Sequence, residues 1–396
     1  MFTFVIQNNI GLNQTLKSLY IAHKEDTLFG RYIHNDSLTE WIKKISSKVT
    51  IKTIGNSVQN REVIALTIGK GSIKILAWSQ MHGNESTTTK GVCDLVNALL
   101  SSHEISEEIL LNCTIKIIPI LNPDGAVAYT RVNANHVDLN RDAQLLSQPE
   151  SKLLRSVFDN FKPDYCLNLH GQRTIFGAGD IGKSATVSFL SPSEDEARTI
   201  TPSRKNGMNV IANINKVLQA EIPGHIGLYD DAFNINCVGD TFQSLHVPTI
   251  LFEAGHYGTD YCRETTRCFI FLALVSGLHY ISRLANSSES NSEIKAYLEI
   301  PNNKKNFCDI IIRNTAEGDF AIQYKEELRI NEIHFIPEIK LKGNLNAHFG
   351  HREINAGGAE VTDLKGQRLQ VGGENDFVLM NNEKFALKPK ISKQNR

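Results

Sequence analysis

No two cysteines of this 396-residue chain stand at Cys-x-x-Cys spacing. The seven present, Cys93, Cys113, Cys166, Cys237, Cys262, Cys268 and Cys308, are odd in number and scattered. That pattern argues against a disulfide framework and against a thiolate metal site. Several lie inside apolar runs, where a free thiol packs as a small hydrophobe. Neither sign of charge dominates, with 42 basic and 43 acidic residues, so charge makes no general case for nucleic acid or an anionic membrane surface. Long apolar runs are also missing. The greasiest stretch, Phe269 to Leu278, is too short to span a bilayer. The first residues, Met1-Phe2-Thr3-Phe4-Val5-Ile6, have no basic n-region and too short an apolar run for a secretory leader. The expected location is cytoplasmic. Internal repeats and low-complexity tracts are absent too.

What is there fits one large or two smaller domains, with 41% apolar residues to build a core. Asp36-Ser37-Leu38-Thr39-Glu40 reads as a helix start with a Ser-x-x-Glu capping box. Val49 to Ile54, Val63 to Ile68 and Ile73 to Trp78 read as strands, the last two joined by a tight turn at Lys70-Gly71. Ser86 to Leu100 carries a helical apolar stripe, and Thr114 to Leu121 is a β-branched buried strand ending at the turn Asn122-Pro123-Asp124-Gly125. Pro149 to Phe161, Asn206 to Ala220 and Tyr261 to Leu284 read as helices, and Gly177 to Pro202 as a long loop. Tyr165 to Leu169 and Val247 to Phe252 read as buried strands. This alternation predicts an α/β fold. The polar break Ala285 to Ser292 suggests a boundary, with domains over 1–295 and 296–396. The second has alternating β-like runs and Gly-rich turns, and is expected to be small and mainly β.

The chemically able residues cluster at strand ends. His82 and Glu85 follow the strand Ile73 to Trp78, on a Gly-containing turn. His170 ends another strand and Glu253 a third, while Arg131, Asn140 and Arg141 follow the turn after a fourth. In doubly wound sheets, ligands bind beyond the carboxyl ends of strands. His-x-x-Glu alone is a common accident, and a Glu at a helix start also suits the macrodipole. Together, His82, Glu85 and His170 form a His₂Glu set of the kind that holds catalytic Zn²⁺ with one open position. Glu253 is placed to move a proton, Arg131 to stabilise an oxyanion, and Asn140 with Arg141 to hold a substrate carboxylate.

This set resembles the zinc metallocarboxypeptidase family of carboxypeptidase A type. His82-Gly83-Asn84-Glu85 resembles its first ligand pair, and Asn122-Pro123-Asp124-Gly125 its characteristic turn. The segment Arg131 to Arg141 is similar to the one carrying its oxyanion Arg and Asn-Arg clamp. Leu167-Asn168-Leu169-His170 resembles the third-ligand strand, and Leu251-Phe252-Glu253 the catalytic-base strand. The resemblance covers about residues 40 to 285. It implies a mixed eight-stranded twisted sheet flanked by helices, bound Zn²⁺, and hydrolysis of an amide beside a free carboxylate. It also implies a mobile Tyr before the base, for which Tyr229 is the candidate by position, and a side-chain pocket in which Asp240 would be an acid. Asn84 departs from the pattern, since many members carry Arg there; Asp142 departs too, where many carry Asn.

Three functions follow. The first is a carboxypeptidase acting on peptides or cell-wall-derived peptides. The second is a deacylase of N-acyl amino acids, resembling the aspartoacylase and succinylglutamate desuccinylase branch. Asn84 and the run Asp138-Leu139-Asn140-Arg141 favour it. The Asn122 to Gly125 turn and the nine-residue step from Arg131 to Asn140 favour the peptidase. The third is a non-catalytic peptide binder, which predicts a missing ligand or base; none is missing.

Overall fold

The computed structural model describes residues 2–284 and 293–391, residues 2–10 by backbone only. The break at 285–292, where the sequence suggested a boundary, lies outside the described residues. The first part contains strands β1 (Thr50–Asn56), β2 (Glu62–Gly69), β3 (Ile73–Ser79), β4 (Cys113–Ile118), β5 (Tyr165–Gly171), β6 (Gly177–Ala178), β7 (Val187–Leu190), β8 (Ile226–Leu228) and β9 (Thr249–Ala254). Its helices are α1 (Phe2–His23), α2 (Thr39–Ile45), α3 (Thr87–Leu99), α4 (Glu104–Asn112), α5 (Pro123–Ala128), α6 (Pro149–Phe161), α7 (Pro202–Gln219), α8 (Val238–Ser244) and α9 (Glu264–Leu284).

All these strands except β6 form one mixed eight-stranded sheet in the order β1-β2-β4-β3-β5-β9-β7-β8. Its centre is parallel: β3 pairs with β4 and with β5, and β5 with β9. The apolar run of β3 is explained by burial on both faces. Ile75 and Ala77 pack into the core beneath α1, α3, α7 and α9, whereas Leu76 and Trp78 pack beneath α6 and α8. Alternate residues of a strand point to opposite faces, so a strand covered on both sides must be apolar throughout.

Several sequence expectations are corrected here. The strands flanking Lys70-Gly71 are not neighbours, because β4 inserts between them, antiparallel to β2 and parallel to β3. Asn122 to Gly125 is less a turn than a helix start: Asn122 caps α5, and its side-chain oxygen accepts from Gly125 N at 2.8 Å. The presumed loop 177–202 contains β6 and β7, too short and too rich in Ser and Thr to show a clear period. α9 is long and apolar enough by composition to cross a membrane, yet 72% of its apolar window is buried within the protein. It is the central helix of one layer.

α10 (Ile294–Leu298), inside which the expected 295/296 boundary falls, lies against α7. β10 (Asn303–Lys304) pairs with β6. Then come β11 (Phe307–Thr315), β12 (Gly318–Arg329), β13 (Glu332–Gly343) and β14 (Phe349–Asn355), forming a sheet in the order β13-β12-β11-β14. β15 (Val361–Thr362), β16 (Phe377–Met380) and β17 (Glu383–Ala386) form a second, smaller sheet. The two share a core of Ile310, Ile312, Phe320, Ile322, Ile339, Val378 and Met380. The fold is therefore an α/β sheet domain followed by a small, mainly β unit.

β12 reaches back to the large sheet. Glu326 accepts from Arg31 Nη1 at 2.5 Å and from the Tyr129 hydroxyl at 2.7 Å. Gln323 Nε2 donates to Thr174 Oγ1 at 2.5 Å, and His351 Nε2 lies 2.7 Å from Thr174 O. The β unit thus holds the chain just before Arg131 and just after His170.

Candidate metal centre and active site

β3 ends at a buried turn whose shape is forced by packing. Gln80 adopts φ 44°, and its side-chain amide donates to Ile33 O and Gly83 O. A Cβ on Gly83 would lie 1.9 Å from the Gly125 carbonyl carbon, so only glycine fits. Asn122 Nδ2 donates to Met81 O at 3.2 Å. The two motifs that looked separate in sequence are therefore packed against each other, and this contact aims His82 and Glu85.

His82 Nδ1 lies 2.9 Å from Glu85 Oε1 and 3.1 Å from His170 Nδ1, and His170 Nδ1 lies 3.0 Å from Glu85 Oε2. The three ligand atoms all fall within 4.8 Å of one another. Both imidazoles are buried, each 2% exposed. Gly171 N donates to Glu85 Oε2 at 2.9 Å and fixes the carboxylate. Asp138 Oδ1 sits 3.1 Å from His82 Nε2, and Asp138 is itself set by the N–H of Asn140 at 2.9 Å. A carboxylate at Nε2 holds the proton there and turns the Nδ1 lone pair toward Glu85. A lone pair facing a carboxylate and a second imidazole is repulsive unless a cation lies between them. The donor set, its spacing and that repulsion all fit a divalent cation such as Zn²⁺ with bonds of ~2 Å.

Burial pushes the Glu85 carboxyl up, but the neighbouring His82 and His170 outweigh it and hold it well below the usual range. Asp138 is likewise depressed: burial opposes, while His82 and Arg131 prevail. Glu253 goes the other way. Burial and then the Glu85 charge push it well above the usual carboxylate range, with Arg131 and Arg263 only partly offsetting. It stands opposite His170 in the β5–β9 pair, and its Oε2 is buried without a hydrogen-bond partner among the described residues.

Arg131 is half-exposed and reaches the centre, with Nη1 3.2 Å from His82 Nδ1 and 3.4 Å from Glu85 Oε1, while Nε donates to Asp138 at 3.0 Å. Asn140 Oδ1 accepts from Val238 N at 3.0 Å, tying that segment to α8. Arg141 is exposed, and its Nη1 donates to Asn140 O at 2.7 Å. The departing Asp142 orders the following loop by accepting from Ser147 N and Gln148 N. The Tyr229 ring lies 5.4 Å from Phe176. Burial pushes its hydroxyl up, and the Glu253 and Glu85 carboxylates push it further, which puts it in their field. Asp240 accepts from Asn234 N at 3.1 Å and closes the turn before α8; burial raises it to about 6, with Arg141 opposing.

Sequence reasoning quoted Asp138 but gave it no role; a carboxylate two residues before an Asn-Arg pair was the available signal. It missed Arg263 entirely. This residue is 2% exposed at the entry to α9 and donates to Ala254 O at 2.5 Å, directly after Glu253.

Comparison with known proteins agrees with this geometry. The sequence profile described as zinc carboxypeptidase matches residues 35–197. "Probable carboxypeptidase 2" of Arthroderma benhamiae (strain ATCC MYA-4681 / CBS 112371) is 28% identical over 123 residues, 30% of this chain and 23% of that protein. "Carboxypeptidase SOL1" of Arabidopsis thaliana is 29% identical over 163 residues, 35% of this chain and 33% of that protein. These matches span only about a quarter to a third of the relatives' own length. In fold, a metallo-carboxypeptidase from Burkholderia cenocepacia superposes with a TM-score of 0.52 at 16% identity, over 63% of this chain and 70% of its own. Bovine thrombin-activatable fibrinolysis inhibitor, solved with tick carboxypeptidase inhibitor, gives 0.50 at 15% identity, over 65% and 98%. At such identities the structural likeness is one of fold. The strand-end residues, the profile match over residues 35–197 and the eight-stranded sheet converge: that stretch of the chain is similar to the zinc carboxypeptidases, and the large sheet has their fold.

Proposed function

We propose that the protein is a zinc-dependent carboxypeptidase that hydrolyses an amide bond next to a free carboxylate. The observation that carries this reading is the convergence of His82, Glu85 and His170 within 4.8 Å, with the unpartnered Glu253 carboxylate on the adjoining strand. Zn²⁺, held by those three side chains, would polarise the substrate carbonyl and make a bound water acidic. The chain's own residues do the rest. Glu253 takes the proton of the attacking water on its carboxylate and passes it to the leaving nitrogen. Arg131 donates to the carbonyl oxygen as it gains charge. Asn140 and Arg141 orient the substrate carboxylate through the planar guanidinium fork. Tyr229 closes over the leaving residue, and Asp240, near Arg141, favours a basic or amino-bearing side chain there.

One feature favours the second reading, deacylation of N-acyl amino acids. β12 contributes Gln323, Tyr324, Lys325 and Glu326 to a cavity of about 280 Å³ that Glu85 and Arg131 also line. A walled space of that size suits a short substrate. Substrate profiling separates the two readings. Release of the C-terminal residue from blocked dipeptides, without action on N-acyl amino acids, supports the peptidase; the reverse pattern overturns it in favour of the deacylase.

A further inference from the structure

The same cavity contains charge that the reaction does not use. Arg263 lines it, and its Nε and Nη2 are buried without a hydrogen-bond partner among the described residues. Its neighbouring acid, Glu326, is hydrogen-bonded to Arg31 and Tyr129 and not to Arg263. Burial, then the charge of Arg31, lowers Arg263 to about 10. A guanidinium held dry with two idle nitrogens is costly in an isolated fold, and it becomes favourable when an anion arrives. Arg173, exposed and without a hydrogen bond or ion pair among the described residues, lies on the same wall with Lys325.

The cavity shares Glu85 and Arg131 with the metal centre but includes none of Asn140, Arg141 or Asp240. If the clamp holds the terminal carboxylate, the cavity receives whatever lies on the other side of the scissile amide. We infer that this interdomain cavity is a subsite for a carboxylate carried by the residue or acyl group on the amino side of the scissile bond, bound by Arg263 and Arg173 against the wall formed by β12. The substrate then bears a carboxylate on each side of the cleaved amide, and the β unit is part of its recognition. The inference rests on the amide-hydrolase reading above.

Its test is a matched pair, N-acetyl-Glu-X and N-acetyl-Gln-X, with the same C-terminal residue X. The expected preference for the Glu substrate in kcat/KM is at least about tenfold, the scale of a charge-assisted hydrogen bond. It should fall toward unity in Arg173→Gln, which carries no structural bond, and in Arg263→Gln. The same pair is then titrated calorimetrically into the Glu253→Gln protein. Tighter binding of the Glu compound that depends on Arg173, with neither compound cleaved by the native enzyme, would leave the subsite standing and remove the hydrolase reading. Equal kcat/KM and equal affinity for the pair would overturn the subsite.

Discussion

Two of the places where the large domain buries charged groups are built on opposite plans. Between α3 and α9, Arg267 donates to both Asp94 oxygens at 2.6 Å, to Leu28 O, to Glu25 O and to Glu264 at 3.0 Å. Lys90 completes the set at 2.5 Å from Glu264. Both Asp94 and Arg267 side chains are 0% exposed, and each is satisfied many times over. At the metal centre, by contrast, two imidazoles and a carboxylate face one another, while Glu253 Oε2 and His170 Nε2 have no partner among the described residues. Buried charge with complete pairing marks architecture. Buried charge with like groups converging and acceptors left idle marks a place where something else binds.

This contrast can be broken in several ways. The largest effect is expected from Glu253→Gln. Hydrolysis of a blocked dipeptide should fall by ~10²–10⁴ in kcat, the range for a lost general base, with zinc content and melting temperature kept. Retained activity would remove Glu253 from the chemistry. Next, Arg267→Met strands Asp94 and Glu264, and denaturant unfolding should show a loss of ~3–5 kcal/mol. Zinc binding by the folded fraction should survive it. A loss below 1 kcal/mol would mean that the cluster is not the architectural one.

The difference in legibility between the two places has the same physical origin. The metal ligands were readable because strand ends deliver short, local signals: His82 and Glu85 within one turn, and His170 and Glu253 each closing an apolar run. The paired cluster was invisible because its partners lie 173 residues apart, Asp94 on α3 and Arg267 on α9. On α3 the apolar stripe was read and the buried polar residues Lys90 and Asp94 were not. The α/β class was readable from strand–helix alternation and the mixed eight-stranded sheet from the family resemblance, but the insertion of β4 between β2 and β3 is a tertiary choice with no local mark. The role of β12 in the cavity wall was likewise unreadable, since Glu326 meets Arg31 across 295 residues.

Smaller effects sharpen the comparison. Asp138→Asn should weaken zinc binding by ~10–100-fold, by releasing the His82 tautomer, with little change in the stability of the zinc-free protein. Competition with a chromophoric chelator measures it; unchanged affinity would mean that His82 is oriented by its packing alone. The smallest effect concerns acid stability. Burial pushes Glu264 up, but Lys90 and Arg267 outweigh it and hold it at about 2, against an ordinary value of 4.5. A depressed carboxylate stabilises the fold above its unfolded pKa and loses that contribution as pH falls through the folded value. The melting-temperature gap between native protein and Glu264→Gln should therefore be full above pH 4.5 and shrink toward pH 2. A gap that stays constant across that window would show that the ion pairs contribute nothing.

The most direct test of the central claim is a zinc titration followed by thermal unfolding, on the metal-stripped native protein and on His170→Ala. One equivalent of zinc should raise the melting temperature of the native chain and restore release of the C-terminal residue, while leaving His170→Ala unmoved. A native protein that takes up no zinc, or an equal zinc-induced rise in His170→Ala, would contradict the assignment of His82, Glu85 and His170 as the metal centre.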